Sequence, residues 1–145
     1  MRHHMKIVYC TDFSEYSRRA FAEAAFLARL TEGHLFVLHV IAGKYTAGEG
    51  LQKAEAALRH PDAPRALERL RTEFVEKTEV PAEAALRLGN EPREMIEFAE
   101  SVGADLIVIG ARGEGALINF FGGGSITSKL VHNSPIPVLV VPHDA

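Results

Sequence analysis

Short apolar runs rich in Val and Ile alternate along this chain with longer stretches whose apolar residues recur at helical spacing. Lys6–Cys10 (KIVYC) reads as a strand, and Ser14 opens a helix to about Thr31, with Phe21, Ala24, Ala25, Leu27, Ala28 and Leu30 on one broad face. Gly33 stands where a left-handed C-terminal cap belongs. Leu35–Ile41 (LFVLHVI) is almost continuously apolar, as a strand covered on both faces should be. The segment 42–64 is the least regular: Glu49–Arg59 has helical spacing, His60-Pro61-Asp62-Ala63-Pro64 interrupts it, and a second helix is expected from about Pro64 to Lys77. Ala84–Leu88 is a weaker strand. Asn90 then caps a helix that carries Glu91 and Pro92 in its first turn and ends at Gly103. Asp105–Gly110 is another buried strand, followed by a glycine-rich loop, a helix from about Ser125 to His132, and a last strand, Pro137–Val141.

Strands alternating with helices in this way predict one α/β domain, residues 1–145, built on a parallel sheet with helices on both faces. Right-handed crossovers leave few topologies for it. In open sheets of this kind ligands sit beyond the carboxyl ends of the strands, at the switch point in strand order. Three segments with polar or glycine chemistry lie at such ends: Thr11–Ser14, Val40–Lys44 and Gly110–Ser125.

Composition removes several functions. The 145 residues carry 16 Lys and Arg against 19 Asp and Glu, a formal net charge of −3. The densest basic stretch, Arg65–Lys77, is interleaved with Glu68, Glu73 and Glu76, so it forms a mixed solvated face and not a nucleic-acid footprint. No apolar run approaches the ~18 residues of a membrane span, and no secretory signal pattern is expected before the first strand. Met1–His4 is expected to be disordered or foreign to the domain. The single cysteine, Cys10, cannot form an internal disulfide, and no Cys/His spacing matches a zinc site. A cytoplasmic location follows as the expectation.

The most informative stretch runs from Gly110-Ala111-Arg112-Gly113 to Gly122-Gly123-Gly124-Ser125-Ile126-Thr127. Glycines let backbone N–H groups approach a phosphate, and a helix opening near Ser125 adds unsatisfied N–H donors and a favourable dipole. Ser125 and Thr127 add hydroxyls. The structural alternative is a flexible loop in which Ser125 is an ordinary N-cap. The loop is neither a Walker A sequence nor a GxGxxG fingerprint. Asp12, at the end of the first strand, can accept hydrogen bonds from a ribose or a base amino group, or it can simply cap the next helix. His39 reads as a core histidine, His132 as a cation suited to a helix end, and Cys10 as a small buried residue. Arg112 can face a phosphate or serve as a solvated loop charge. No nucleophile elbow and no clustered carboxylates mark a hydrolase. An adenylate-forming enzyme would need an SGGxD or HIGH-type motif, and neither is present.

Two stretches resemble the universal stress protein family: KIVYCTDFSEYSRRAF at the start, and ADLIVIGARG followed by GSITSKLVHNSPIPVLVVP at the end. The resemblance extends from Met5 to Pro142. It implies a five-stranded parallel, doubly wound sheet of order 3-2-1-4-5. The nucleotide-binding branch of the family carries Gly-2x-Gly-9x-Gly-Ser/Thr. Gly110 and Gly113 fit the first two positions, and Gly124 with Ser125 fit the last, which leaves ten residues, Glu114–Gly123, where the pattern has nine. Using Gly123 instead keeps nine but puts Gly124 where the hydroxyl belongs. By similarity, Cys10, Thr11, Asp12 and the backbone of Val40 hold the adenine end. Ile109 and Gly110 pack beneath ribose and phosphates, and Gly113, Gly124, Ser125, Ile126 and Thr127 hold the phosphate chain. The implied ligand is ATP, or AMP or ADP in its place, with Mg. The implied assembly is a homodimer through the last strand, Val138–Val141, together with a downstream protein partner. The expected role is a stress-response sensor or switch and not an enzyme. Family members that lack the glycine signature act as nucleotide-free adaptors through partners, which is the alternative.

Overall fold

The computed structural model describes residues 4–44, 48–111 and 125–142. Residues 112–124, with Gly113, Gly123 and Gly124, lie outside these residues, as do Met1–His3. Five strands, β1 (Lys6–Cys10), β2 (His34–Ala42), β3 (Ala82–Gly89), β4 (Leu106–Ala111) and β5 (Val138–Pro142), form one sheet of order β3-β2-β1-β4-β5. Every neighbouring pair is parallel. The topology expected from the resemblance is the one observed.

Alternation along β1 sends Ile7 and Tyr9 to one face of the sheet and Val8 and Cys10 to the other. The first face is covered by α1 (Arg18–Leu30), α2 (Leu51–Leu58) and α3 (Ala63–Glu73), which contribute Ala20, Ala24, Ala28, Ala57, Ala66 and Leu70. The second is covered by α4 (Glu91–Val102) and α5 (Ile126–Asn133), through Met95, Phe98, Ala99 and Leu130. Small residues on α1 let it lie close to the sheet, while Phe21 and Phe74 enclose the buried Tyr9 ring with centroids 5.6 and 5.5 Å away.

Three details depart from the expectations. The helix after β1 does not begin at Ser14: a 3-10 turn, Glu15–Ser17, precedes α1. The second helix of the irregular segment ends at Glu73, and Val75–Lys77 forms a separate 3-10 turn. After α1 the left-handed residue is Glu32, at φ 52°, and not Gly33. Gly33 is required for a different reason: a Cβ there would lie 2.0 Å from the Met5 carbonyl oxygen. By contrast, α4 has the predicted caps. Asn90 accepts from Arg93 N at 3.1 Å, and Gly103 closes the helix at φ 69°.

Candidate functional site

The parallel sheet puts the carboxyl ends of β1, β2 and β4 along one edge, and β1 and β4 are neighbours there although their helices leave to opposite faces. A cavity of about 300 Å³ opens at this switch point. Cys10, Thr11 and Asp12 enter it from β1, Val40 from β2, Ile109 and Gly110 from β4, and Ser125, Ile126 and Thr127 from the start of α5. Nine of the residues singled out in the sequence therefore line one space.

The turn after β1 is held by its own polar groups. Thr11 N donates to Leu38 O at 2.9 Å, and Thr11 Oγ1 accepts from Phe13 N at 2.9 Å. Ser17 Oγ donates to Ser14 O at 2.8 Å, so the 3.0 Å contact between Thr11 Oγ1 and Ser17 Oγ uses the threonine proton. One Asp12 oxygen accepts from Ser14 N at 2.9 Å, an Asx turn that orients the exposed carboxylate. Phe13 takes a left-handed conformation at φ 68°, costly for an aromatic residue. Its ring is held between His39, 4.5 Å away, and the Arg69 guanidinium, 4.2 Å above it. His39 Nδ1 donates to the Thr11 carbonyl at 2.8 Å. Burial of the imidazole lowers its pKa, against the opposing pull of that hydrogen bond and of Asp12. The histidine is thus a neutral buttress behind the turn.

Cys10 forms part of the floor, with burial raising its thiol to about 12, so it presents no thiolate. Gly110 packs so closely against the 3-10 turn that a Cβ would stand 2.5 Å from Tyr16 O. Ser125 is the N-cap of α5, its oxygen accepting from Ser128 N at 3.0 Å. Its hydroxyl proton remains available to an anion, alongside the free N–H groups of the first helical turn.

The sequence reading missed Glu91 and Met95, which line the cavity from α4, and Tyr16 and Ser17; Ser14 and Ala111, which also line it, lay inside the candidate segments. The signal for Glu91 was its place just past the carboxyl end of β3, an end omitted from the candidate segments. Burial raises its carboxyl pKa first, and the charge of Asp12 adds to the shift.

The family model for the universal stress proteins matches residues 3–142. The chain belongs to the universal stress protein family. It is 38% identical over 143 residues to a universal stress protein of Thermus aquaticus, with 93% of this chain and 96% of that one covered. A solved universal stress protein in complex with cAMP shares the fold at a TM-score of 0.70 and 20% identity, over 97% of this chain and 98% of that one. Another, from Archaeoglobus fulgidus in complex with dAMP, does so at 0.65 and 22%, over 97% and 99%. Among the described residues of this universal stress protein, no helix is long and apolar enough to cross a membrane.

Proposed function

We propose that the cavity binds an adenine nucleotide, ATP with Mg or its di- or monophosphate, and that the protein acts as a nucleotide-dependent sensor or switch in the stress response. The observation that carries this reading is the division of the cavity wall. Acceptors and apolar side chains, Asp12, Val40 and Met95, come from β1, β2 and α4, while donors for an anion come from Ser125–Thr127 at the opening of α5. That asymmetry suits a ligand with a heteroaromatic end and an anionic end. Two solved relatives of the same fold are complexes with adenine nucleotides, which supports the chemical class. We read it as a binding protein and not an enzyme: the buried Cys10 supplies no thiolate, and His39 serves as a neutral buttress behind the turn. A single buried free thiol suits a reducing cytoplasm.

Titration calorimetry and thermal shift with ATP, ADP and AMP, each with and without Mg, test the reading. Binding should raise the melting temperature by mass action. No response at millimolar nucleotide would overturn it in favour of a nucleotide-free adaptor. One observation favours that second reading: Gly110 and Ser125 each have a purely structural job, close packing and helix capping, that needs no ligand.

We also propose a homodimer through β5, which pairs with β4 on one side and forms the sheet edge. Leu139 is half-buried, whereas Val141 is buried in the monomer core. Leu139→Lys should therefore shift sedimentation towards monomer without unfolding the chain, and an unchanged sedimentation profile would argue against this edge.

A further inference from the structure

Glu91 occupies the first position of α4, fixed by the Asn90 cap before it and by the buried Pro92 after it. Its carboxyl is half-buried, lines the cavity, and has neither a hydrogen bond nor an ion pair among the described residues. Among the described residues, the charge that acts on it is a second carboxylate, Asp12. Bringing an acceptor-only group into partial burial beside a like charge costs free energy; the N-terminal end of α4 offsets part of it, and no described residue donates to the carboxyl. A ligand bearing N–H donors would repay it.

The helix says what kind of ligand. Met95 lies four residues after Glu91, so the two side chains share one face of α4 and both line the cavity. The Met95 thioether, with Val40 and Ile109 in the same apolar cluster, offers apolar walls for a flat ring, and the carboxyl stands one turn earlier on the same helix. A ribose, polar all round, makes poor use of such walls.

We propose that Glu91 is a specificity-determining residue of the nucleotide site, accepting from the exocyclic amine of the base and so selecting an amino-purine over its 6-oxo counterpart. The inference rests on the adenine-nucleotide reading of the cavity. A 6-oxo base turns a carbonyl towards the Glu91 and Asp12 carboxylates, and the acceptors then face one another with no proton between them. Glutamine in place of Glu91 has nearly the same shape but can donate as well as accept, so it tolerates either base.

The test is the ratio of affinities for ATP and inosine triphosphate, measured by calorimetry at one Mg concentration in the wild type, Glu91→Gln and Glu91→Ala. The wild type should favour ATP by at least about tenfold. In both variants the ratio should collapse by about tenfold, with Glu91→Gln gaining affinity for the inosine nucleotide. A ratio unchanged by either substitution, with ATP still bound, would overturn the role of Glu91 while leaving the nucleotide reading intact. A wild type that binds neither nucleotide would overturn both. Circular dichroism of the two variants, which alter only a helix-opening position, verifies that the comparison is between folded proteins.

Discussion

A Cβ on Gly110 would stand 2.5 Å from the carbonyl oxygen of Tyr16 and 2.9 Å from the Ser17 Cα. Both obstacles are backbone, so neither can swing aside, and the end of β4 fits against the 3-10 turn only because residue 110 has no side chain. Gly110→Ala should destabilise the protein by about 1–3 kcal/mol, the usual cost of overpacking. Thermal unfolding should show a fall of about 2–4 °C for each kcal/mol in a chain of this size. An unchanged melting temperature would mean that the turn moves freely away from β4.

His39 links stability to pH. Its ordinary pKa is about 6.5, and burial lowers it in the folded state. The unfolded chain therefore takes up a proton before the folded chain does. Stability is full above about pH 6.5 and is lost as the pH falls below that value. His39→Asn can keep a donor to Thr11 O but cannot titrate. Unfolding curves between pH 7.5 and 5.5 should accordingly show a steeper loss for the wild type than for this variant. Parallel curves would remove the assignment.

Outside the cavity, Lys53 of α2 donates to Glu94 of α4 at 2.8 Å and also pairs with Glu97. Lys53 and Glu94 are 8% and 1% exposed at the side chain, which makes this a buried ion pair. Lys53→Met should cost about 3–5 kcal/mol, because the Glu94 carboxylate is left buried without its cation. Adding Glu94→Gln should recover much of that loss. Urea denaturation of the single and double variants measures the coupling, and additive losses would show the two residues to be independent.

Ser125 separates capping from ligand binding. Ser125→Asp keeps a good N-cap, so stability should hold, whereas Ser125→Ala should lose about 1 kcal/mol. On the proposed function both weaken nucleotide binding. Alanine removes a hydrogen bond to a charged group, worth about 1.5–3 kcal/mol, and aspartate adds repulsion between like charges. Nucleotide binding by Ser125→Asp at wild-type affinity would place the phosphates elsewhere.

Four of the strands were legible because each carries a short apolar run with Val or Ile, and β1 has the predicted bounds; β3, AEAALRLG, has neither residue and gave the weaker signal. The caps of α4 were legible because Asn90 and Gly103 act locally. What escaped was set by tertiary contact. Gly33 looked like a cap until the Met5 carbonyl was beside it, and Glu91 looked like a helix-opening acid until α4 was laid along the cavity. Such roles depend on residues far away in the chain, and no local periodicity encodes them. The strand-end rule joined the three segments that hold most of the nine cavity residues, and the family resemblance picked out the individual residues.

The cavity collects side chains from both ends of the chain, Cys10 to Thr127, and none of its walls exists until β1 has paired with β4 across nearly a hundred intervening residues. Contacts of such long sequence separation are slow to form. A molecule held there can grip only a finished sheet, so its stabilisation should appear as slower unfolding, with the folding rate left almost untouched. Occupancy would then govern the lifetime of the protein in the cell as much as its shape.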